Sequence, residues 1–155
     1  MDTLLVRPVR AADLPRLRVF LQALSPQTRY LRFLSPRTPT DEEIAHWAEA
    51  DACHEYALVA TEGEQVVAEA RYVLESNEEA DVAIVVSDRW QGRGLGRELM
   101  TRLVAAARRR GLRRLTGIAL STNSAVLGLA RKLGFRLTRV PGEGWMTTLT
   151  LDLRS

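Results

Sequence analysis

The sequence has 155 residues, of which 46% are hydrophobic and 26% are charged. This composition is typical of one globular domain, and the length lets it bury enough surface to fold without a metal ion or a disulfide. The single cysteine, Cys53, cannot form an internal disulfide, which favours a reducing, cytoplasmic setting. No run approaches the roughly 20 apolar residues of a membrane-spanning helix, and the first residues do not resemble a signal peptide. We therefore set aside secreted and membrane-inserted proteins.

The formal net charge is +3, from 22 basic and 19 acidic residues. A net charge this small does not by itself indicate a nucleic-acid partner. The densest basic run, residues 108–114, lies at the end of a predicted helix, where the helix dipole favours cations. Because no aromatic residues for base stacking lie within this run, we expect no nucleic-acid partner. One cysteine and two histidines give no metal-ligand spacing, so no metal is predicted either.

Hydrophobic spacing alternates between the strand and the helix period along the whole chain. The first half predicts a strand over residues 3–9 and a helix that Asp13 and Pro15 begin and Ser25-Pro26 ends. A short basic helix over 27–34 follows, and Thr40 with Glu43 three residues later begins a third helix. Strands are then predicted over residues 56–61, 65–74 and 81–86.

In the second half, a glycine-rich turn leads into a helix over 94–110, which Gly111 ends. A strand over 114–120 and a helix capped by Asn123 or Ser124 come next, and strands over 135–140 and 145–151 close the chain. No linker or repeat interrupts these elements, so we predict one domain over residues 1–155. The order of elements favours a mixed sheet with helices on its faces.

The most informative stretch for chemistry is the turn over residues 91–96, Gln-Gly-Arg-Gly-Leu-Gly, between an apolar strand and the long helix. Such a turn leaves backbone N–H groups unpaired and aligned, with the helix dipole behind them. We therefore predict a phosphate or pyrophosphate site, to which Arg93 and Arg97 add charge. The turn lacks the Gly-Lys-Ser/Thr ending of a P-loop. Its three glycines also lack the spacing of the dinucleotide fingerprint, which needs the third glycine at a different offset and a full βαβ context.

This turn resembles the acyl-CoA-binding signature of the GNAT N-acetyltransferase superfamily. A second element agrees, because Asn123 and the run Leu-Ala-Arg-Lys-Leu-Gly-Phe over 129–135 resemble the family helix that flanks the pantetheine. Further segments, among them residues 6–8, 25–33 and 80–83, resemble the GNAT domain of bacterial protein-lysine acetyltransferases. Larger members join this domain to other modules, and here we expect it to stand alone. The resemblance implies an α/β (α+β) GNAT fold, a mixed, mostly antiparallel seven-stranded sheet with helices on both faces.

The resemblance also implies an acetyl-CoA-dependent N-acetyltransferase, in which a primary amine attacks the thioester of the co-substrate directly. A protein lysine is slightly favoured as the acceptor over a small-molecule amine. The connector that contains Arg29, Tyr30, Arg32 and Phe33 corresponds to a segment that often lines the acceptor cleft. The implied CoA contacts are Ile84, Val85, Val86, Gln91, Gly92, Arg93, Gly94, Leu95, Gly96, Arg97 and Asn123.

A proton must leave the acceptor amine, whose pKa is near 10, so a carboxylate or a water chain is needed near the thioester. The resemblance favours Asp81, where lysine-acetylating relatives place a glutamate, and Glu69 on the preceding strand is the second candidate. Each could instead be an ordinary strand carboxylate. Many members use a tyrosine as the acid for the leaving thiolate, but Ala130 stands at that position.

Ser121, Thr122 and Ser124 are then the candidate proton donors. A catalytically silent CoA-binding regulatory module stays open as an alternative function, as do the acyl-chain length, the identity of the acceptor and a homodimer.

Overall fold

The computed structural model describes residues 4–34, 39–49 and 53–154. Their elements follow the predicted order, with boundaries that move by no more than a few residues, and Thr3 at the start of the first predicted strand lies outside the described residues. Short 3-10 turns at Ala11–Asp13 and Asp88–Trp90 precede the first and fourth helices. The elements are β1 Leu4–Pro8, α1 Leu14–Ala23, α2 Pro26–Phe33, α3 Asp41–Glu49, β2 Glu55–Glu62, β3 Gln65–Leu74, β4 Glu79–Val86, α4 Leu95–Arg110, β5 Arg114–Leu120, α5 Ser124–Lys132, β6 Arg136–Val140 and β7 Glu143–Asp152.

The seven strands form one sheet in the order β1-β2-β3-β4-β5-β7-β6. Every neighbouring pair is antiparallel except β4 and β5. The predicted mixed, mostly antiparallel seven-stranded sheet is therefore confirmed. The one parallel pair joins Glu79 to Arg114, Ala80 to Leu115 and Asp81 to Thr116, after which both strands continue without pairing to each other.

Two hydrophobic cores lie on opposite faces of the sheet. One contains Leu99 and Leu103 of α4 and has residues of α5 packed against it, and the other contains Leu17 and Leu21 of α1 and Ile44 of α3. Alternation along a strand assigns each side chain to a face. On β4, Ala80, Val82, Ile84 and Val86 belong to the α4–α5 face, while Val85 belongs to the α1–α3 face together with Asp81. The predicted helices on both faces are confirmed.

The helix ends follow the sequence signals. Thr40 and Glu43 form a reciprocal capping box at α3, with N···O distances of 3.2 and 3.0 Å. Gly111, at φ +88°, ends α4, and no residue with a Cβ adopts this backbone conformation easily. Within the described residues, no helix has both the length and the apolar character needed to cross a bilayer.

Asp13 was expected to begin α1, and it does stand at the N-cap, but its carboxylate pairs with Arg7 and makes no side-chain capping bond. It is 1% exposed and accepts hydrogen bonds from both terminal nitrogens of Arg7, at 2.8 and 2.7 Å, and from the backbone N–H of Arg10 at 2.8 Å. The bond from Arg7 is the main cause that lowers the pKa of Asp13. This ion pair fastens β1 to the start of α1.

Replacing Asp13 tests that link. Because its pKa is lower in the folded state than in the unfolded chain, the ionised carboxylate stabilises the fold above about pH 4, and this contribution is lost as the pH falls. Asp13→Asn should lower the free energy of unfolding by about 2–4 kcal/mol at pH 7, since the partly buried guanidinium of Arg7 loses its anionic partner. Urea unfolding at pH 7 and pH 3 measures both values, and the difference should shrink at pH 3.

The matched control is Asp41→Asn, which removes an exposed carboxylate paired with Arg18 at 3.0 Å. Exposed pairs contribute less than about 1 kcal/mol, so this variant should unfold almost as the parent does. An equal loss in both variants would contradict the role given to Asp13.

Candidate functional site

A cavity of about 570 Å³ lies along the edge of β4 that β5 leaves free. Its walls come from β4, the turn before α4, the length of α5, and α2. All the predicted CoA contacts line this cavity except Arg93 and Leu95. The residues that sequence analysis placed around one ligand are therefore close together in space.

The glycines of the turn are required for different reasons. Gly92 and Gly94 have φ of +77° and +84°, and a Cβ on either would meet nothing within 4 Å, so it is the backbone conformation that favours glycine there. A Cβ on Gly96 would instead lie 3.5–3.9 Å from the side chains of Leu129, Ile84 and Val86. Its absence keeps space open between β4 and α5. With the unpaired N–H groups of the first turn of α4, this cradle fits a phosphate-bearing ligand.

Leu95 and Arg93 lie outside the cavity for physical reasons. Leu95 is 4% exposed and belongs to the α4–α5 core, so its side chain packs into the core and holds the turn against it. The guanidinium of Arg93 lies 4.9 Å from the centre of the Trp90 ring. Arg97 does line the cavity. Of the two arginines predicted to add positive charge to the site, only Arg97 therefore contributes to the cavity wall.

Polar contacts tie the turn to the start of α2. The side-chain amide of Gln91 donates to the carbonyl oxygen of Val86 at 3.0 Å and to Oγ1 of Thr28 at 3.3 Å. The Asp88 carboxylate accepts from the N–H of Ser25 at 3.1 Å and from the hydroxyl of Thr28 at 3.0 Å. These hydrogen bonds therefore join the start of α2 to the glycine turn before α4.

The start of α5 settles which residue caps the helix. Oδ1 of Asn123 accepts the N–H of Val126 at 3.3 Å, so Asn123 is the cap and Ser124 is the first helical residue. Both line the cavity. Ser121 is turned elsewhere, because its hydroxyl donates to the carbonyl oxygen of Gly144 at 2.8 Å. Ala130 is 3% exposed and lies in the core.

Asp81 lies where β4 and β5 stop pairing and the gap between the two strands begins. It pairs with Thr116 in the last rung that β4 and β5 share, and it is not among the residues that line the cavity itself. Burial, together with the negative charge of Glu75, raises the pKa of Asp81 to about 6, against the opposing charge of the Arg32 guanidinium. A half-buried carboxylate with such a pKa can exchange protons near neutral pH.

Glu69, the second candidate, is in a different environment. It is 0% exposed, it accepts a hydrogen bond from Nε of Arg71, and Nη2 of Arg32 lies 3.6 Å from its other oxygen. The Glu69 carboxylate is the anion beside Arg32 and one of two beside Arg71, which also donates to Glu55 at 3.2 Å. The geometry is that of a structural ion pair rather than of an accessible base.

Sequence analysis missed several cavity residues. Thr28, Leu31 and Arg32 approach from α2, and Val126, Leu129 and Lys132 approach from α5. The resemblance placed Arg32 in a segment that often lines the acceptor cleft, and residues 129–135 in the helix that flanks the pantetheine, but it selected none of these side chains as a CoA contact. Within residues 4–34, 39–49 and 53–154, no three His, Cys, Asp or Glu side chains form a group that could hold a metal ion.

Comparison with known proteins agrees with the geometry. The model of the acetyltransferase (GNAT) domain matches residues 3–136. The chain is 35% identical to Acetyltransferase Pat of Mycolicibacterium smegmatis over 133 residues, which are 83% of this chain and 40% of that protein. It is 33% identical to an acetyltransferase of Pseudomonas aeruginosa over 145 residues, 90% of this chain and 78% of that one.

Solved structures give the same result. The GNAT domain of S. lividans PAT matches with a TM-score of 0.88 and 26% identity over 97% of this chain and 96% of that one. An acetyltransferase from Salmonella typhimurium solved with acetyl-CoA shares the fold, with a TM-score of 0.79 and 24% identity over 98% and 95%. This chain thus spans less than half of the mycobacterial Pat protein but nearly all of the solved GNAT domain.

The raised pKa of Asp81 predicts an unusual pH dependence of stability. With a pKa near 6 in the folded state and near 3.9 in the unfolded chain, Asp81 destabilises the fold increasingly as the pH rises from about 4, and the full effect is present above about pH 6. Asp81→Asn should therefore raise the free energy of unfolding at pH 8, by about 1–2 kcal/mol once solvent screening is allowed for. This gain should vanish toward pH 4. Urea unfolding between pH 4 and pH 8 measures it.

Asp152→Asn is the control, because Asp152 is an exposed strand carboxylate whose pKa is lowered by a hydrogen bond from Arg114. It should give no gain at pH 8. A gain in both variants would show a general effect of charge instead of the burial of Asp81.

Proposed function

Because the chain belongs to the GNAT acetyltransferase family, we propose that it transfers the acetyl group of acetyl-CoA directly to a primary amine. The observation that carries this proposal is the gap between β4 and β5. One cavity runs from an anion-binding turn along the free edge of β4, and the carboxylate of Asp81 stands where that gap begins.

Each end of the cavity suits one part of acetyl-CoA. The backbone N–H groups of residues 92–96 and the dipole of α4 would hold the pyrophosphate, with Arg97 adding charge. The amides of the pantetheine would pair with the free edge of β4 at Ile84 and Val86, as a peptide strand adds to a sheet. Asn123 and the apolar side chains of α5 would close the other side.

The acetyl thioester supplies the acyl carbon, and the residues of the chain manage the proton and the charge. Asp81 accepts the proton of the ammonium, directly or through a water molecule, which frees the nitrogen lone pair to attack. The N–C bond forms, a backbone N–H of β4 stabilises the oxyanion, and the C–S bond breaks while the nitrogen loses its second proton to solvent or to the leaving thiolate. The thiol of CoA has a pKa near 8.5, so its thiolate can leave without the family tyrosine that Ala130 replaces. Ser124 on the cavity wall can return a proton to it.

A protein lysine remains the favoured acceptor. This preference rests on the sequence segments that resemble lysine acetyltransferases and on the paired negative charges of Asp81 and Glu75, which suit an ammonium group. A small-molecule amine is the second candidate. It is supported by 36% identity over 72 residues, 46% of this chain, to an L-methionine sulfoximine/L-methionine sulfone acetyltransferase of Pseudomonas aeruginosa. The lone cysteine of the sequence suits a reaction in the cytoplasm.

Release of free thiol from acetyl-CoA tests the activity. The purified chain is assayed with a panel of small amines and lysine-bearing proteins, and we expect turnover with at least one of them. Asp81→Asn should reduce kcat about 100-fold or more with little change in CoA affinity, because general-base catalysis contributes on that scale. In the parent, kcat/KM should fall below about pH 6, where Asp81 becomes protonated.

Two results would overturn this proposal. If CoA binds and the whole panel gives no turnover above the uncatalysed rate, the chain is a CoA-binding regulatory module. If Asp81→Asn retains activity while Glu69→Gln loses it with CoA binding and stability unchanged, Glu69 is the base.

The turn itself can be tested by one methyl group. Gly94→Ala places a Cβ at φ +84°, in open space, so the cost is backbone strain of about 1–2 kcal/mol. Distortion of the turn should weaken CoA binding at least tenfold, as measured by calorimetry. Gly111→Ala is the matched control, because it introduces similar strain at φ +88° in a residue that does not line the cavity. It should lose similar stability and bind CoA as the parent does.

A further inference from the structure

Helix α2 is formed by local signals, but these signals do not hold it against the sheet. The hydroxyl of Ser25 caps it by accepting the N–H of Thr28 at 3.1 Å, and Pro26 is its first residue. None of its side chains is fully buried. An element with few buried apolar contacts opens more readily than the core of the same protein. Polar contacts at its two ends therefore set where α2 lies.

At the N-terminal end of α2, one hydroxyl bonds to two residues that precede α4. Thr28 donates to the Asp88 carboxylate at 3.0 Å and accepts from the side-chain amide of Gln91 at 3.3 Å. Gln91 also donates to the carbonyl oxygen of Val86, the last residue of β4, at 3.0 Å. Asp88 also accepts the backbone N–H of Ser25 at 3.1 Å. Because a hydroxyl can donate and accept at once, Thr28 joins α2 both to the end of β4 and to the glycine turn.

The other end of α2 is held by an ion pair. Nη2 of Arg32 lies 3.6 Å from the carboxylate of Glu69, whose side chain is fully buried. The guanidinium also lies 4.8 Å from the centre of the Trp47 ring on α3. Without the bonds of Thr28, the side chain of Arg32 would hold α2 to the sheet while its N-terminal half moved away from the turn.

Helix α2 forms one wall of the cavity that we assign to acetyl-CoA. Thr28, Leu31 and Arg32 line that cavity together with β4 and the glycine turn. A ligand in the cavity meets this wall only when α2 is docked against the turn. It therefore stabilises the docked helix, because a ligand shifts an equilibrium toward the state that it binds better. By the same linkage, a variant in which α2 is docked less often binds the ligand more weakly.

We propose that Thr28 is a positioning residue for the reaction: its hydroxyl fixes α2 to Asp88 and Gln91, so that the wall of the cavity and the glycine turn are in place together when acetyl-CoA binds. This inference rests on the proposed function. It gives Thr28 no contact with the reacting atoms. It makes the affinity for CoA depend on a helix whose place is set by hydrogen bonds instead of by the core.

The hydroxyl can be removed without changing the size of the side chain. Thr28→Val should weaken CoA binding about fivefold to tenfold, the scale of one net hydrogen bond, as measured by calorimetry. Thr28→Ser keeps the hydroxyl and should restore most of this loss. Thr101→Val is the matched control, because Thr101 is exposed on α4 and does not line the cavity. It should bind CoA as the parent does.

A double-mutant cycle separates positioning from a direct contact of the hydroxyl with CoA. Asp88→Ala removes a partner of Thr28 that is not among the residues lining the cavity. If Thr28 acts through Asp88, both changes break the same link, and the double variant should bind CoA about as weakly as Asp88→Ala alone. Losses that multiply would overturn the proposal, since Thr28 would then act on CoA independently of Asp88.

Hydrogen exchange measures the docking of α2 without turnover. In Thr28→Val, amide exchange over residues 26–33 should become several-fold faster while exchange in β4 and α4 stays unchanged, and CoA should slow the exchange of α2 in the parent. Unchanged exchange of α2 in Thr28→Val would contradict the role given to Thr28. If the parent binds no CoA but Thr28→Val still loosens α2 alone, the proposed function fails and the link between α2 and the turn stands.

Discussion

The pairing of β4 with β5 ends after the rung of Asp81 and Thr116, and the whole site depends on that limit. Beyond it, β4 keeps β3 as its partner on one edge, and its other edge has backbone groups that β5 does not satisfy. A Cβ on Gly117 would lie 3.3 Å from the carbonyl oxygen of Val82. The strands are therefore in close contact right where they part, and a larger side chain would force them apart earlier.

The glycine turn and the Asp81 carboxylate lie toward opposite faces of the sheet. Alternation along β4 directs Ile84 and Val86 toward the α4–α5 core, next to the glycine turn. It directs Asp81 to the α1–α3 face, where Glu69 pairs with Arg71 and Arg32. A ligand that lies along the edge of β4 would therefore meet the glycine turn at one end and a carboxylate at the other. Neither face alone carries both groups.

Helix α2 depends on polar contacts more than on the core. None of its side chains is fully buried. Its N-terminus is held by Asp88 through Ser25 and Thr28, and its C-terminal half by the pair of Arg32 with Glu69. Directional contacts of this kind set the position of a helix closely while leaving its outer face free. This suits an element that stands between a cofactor-sized cavity and the surface where an acceptor would arrive.

The sequence by itself determined the order of the elements, the capping box of α3, the glycine that ends α4 and the glycine turn before α4, because each is set by residues that are neighbours in the chain. Gly94 and Gly111 are needed for their own backbone angles, and Thr40 and Glu43 reach each other across one helical turn. The family resemblance added the predicted sheet, since a local pattern does not say which strands pair.

Tertiary structure alone decided how the two candidate carboxylates differ. Asp81 and Glu69 are both acidic residues on strands, and no local pattern separates them. Only the fold brings Arg71 and Arg32 onto Glu69 and places Asp81, half-buried, where β4 and β5 part. The same holds for Leu95 and Arg93, which belong to the turn in sequence but face the core and the Trp90 ring. Burial and charge at a site are sums over residues distant in the chain, and these sums exist only once the chain has folded.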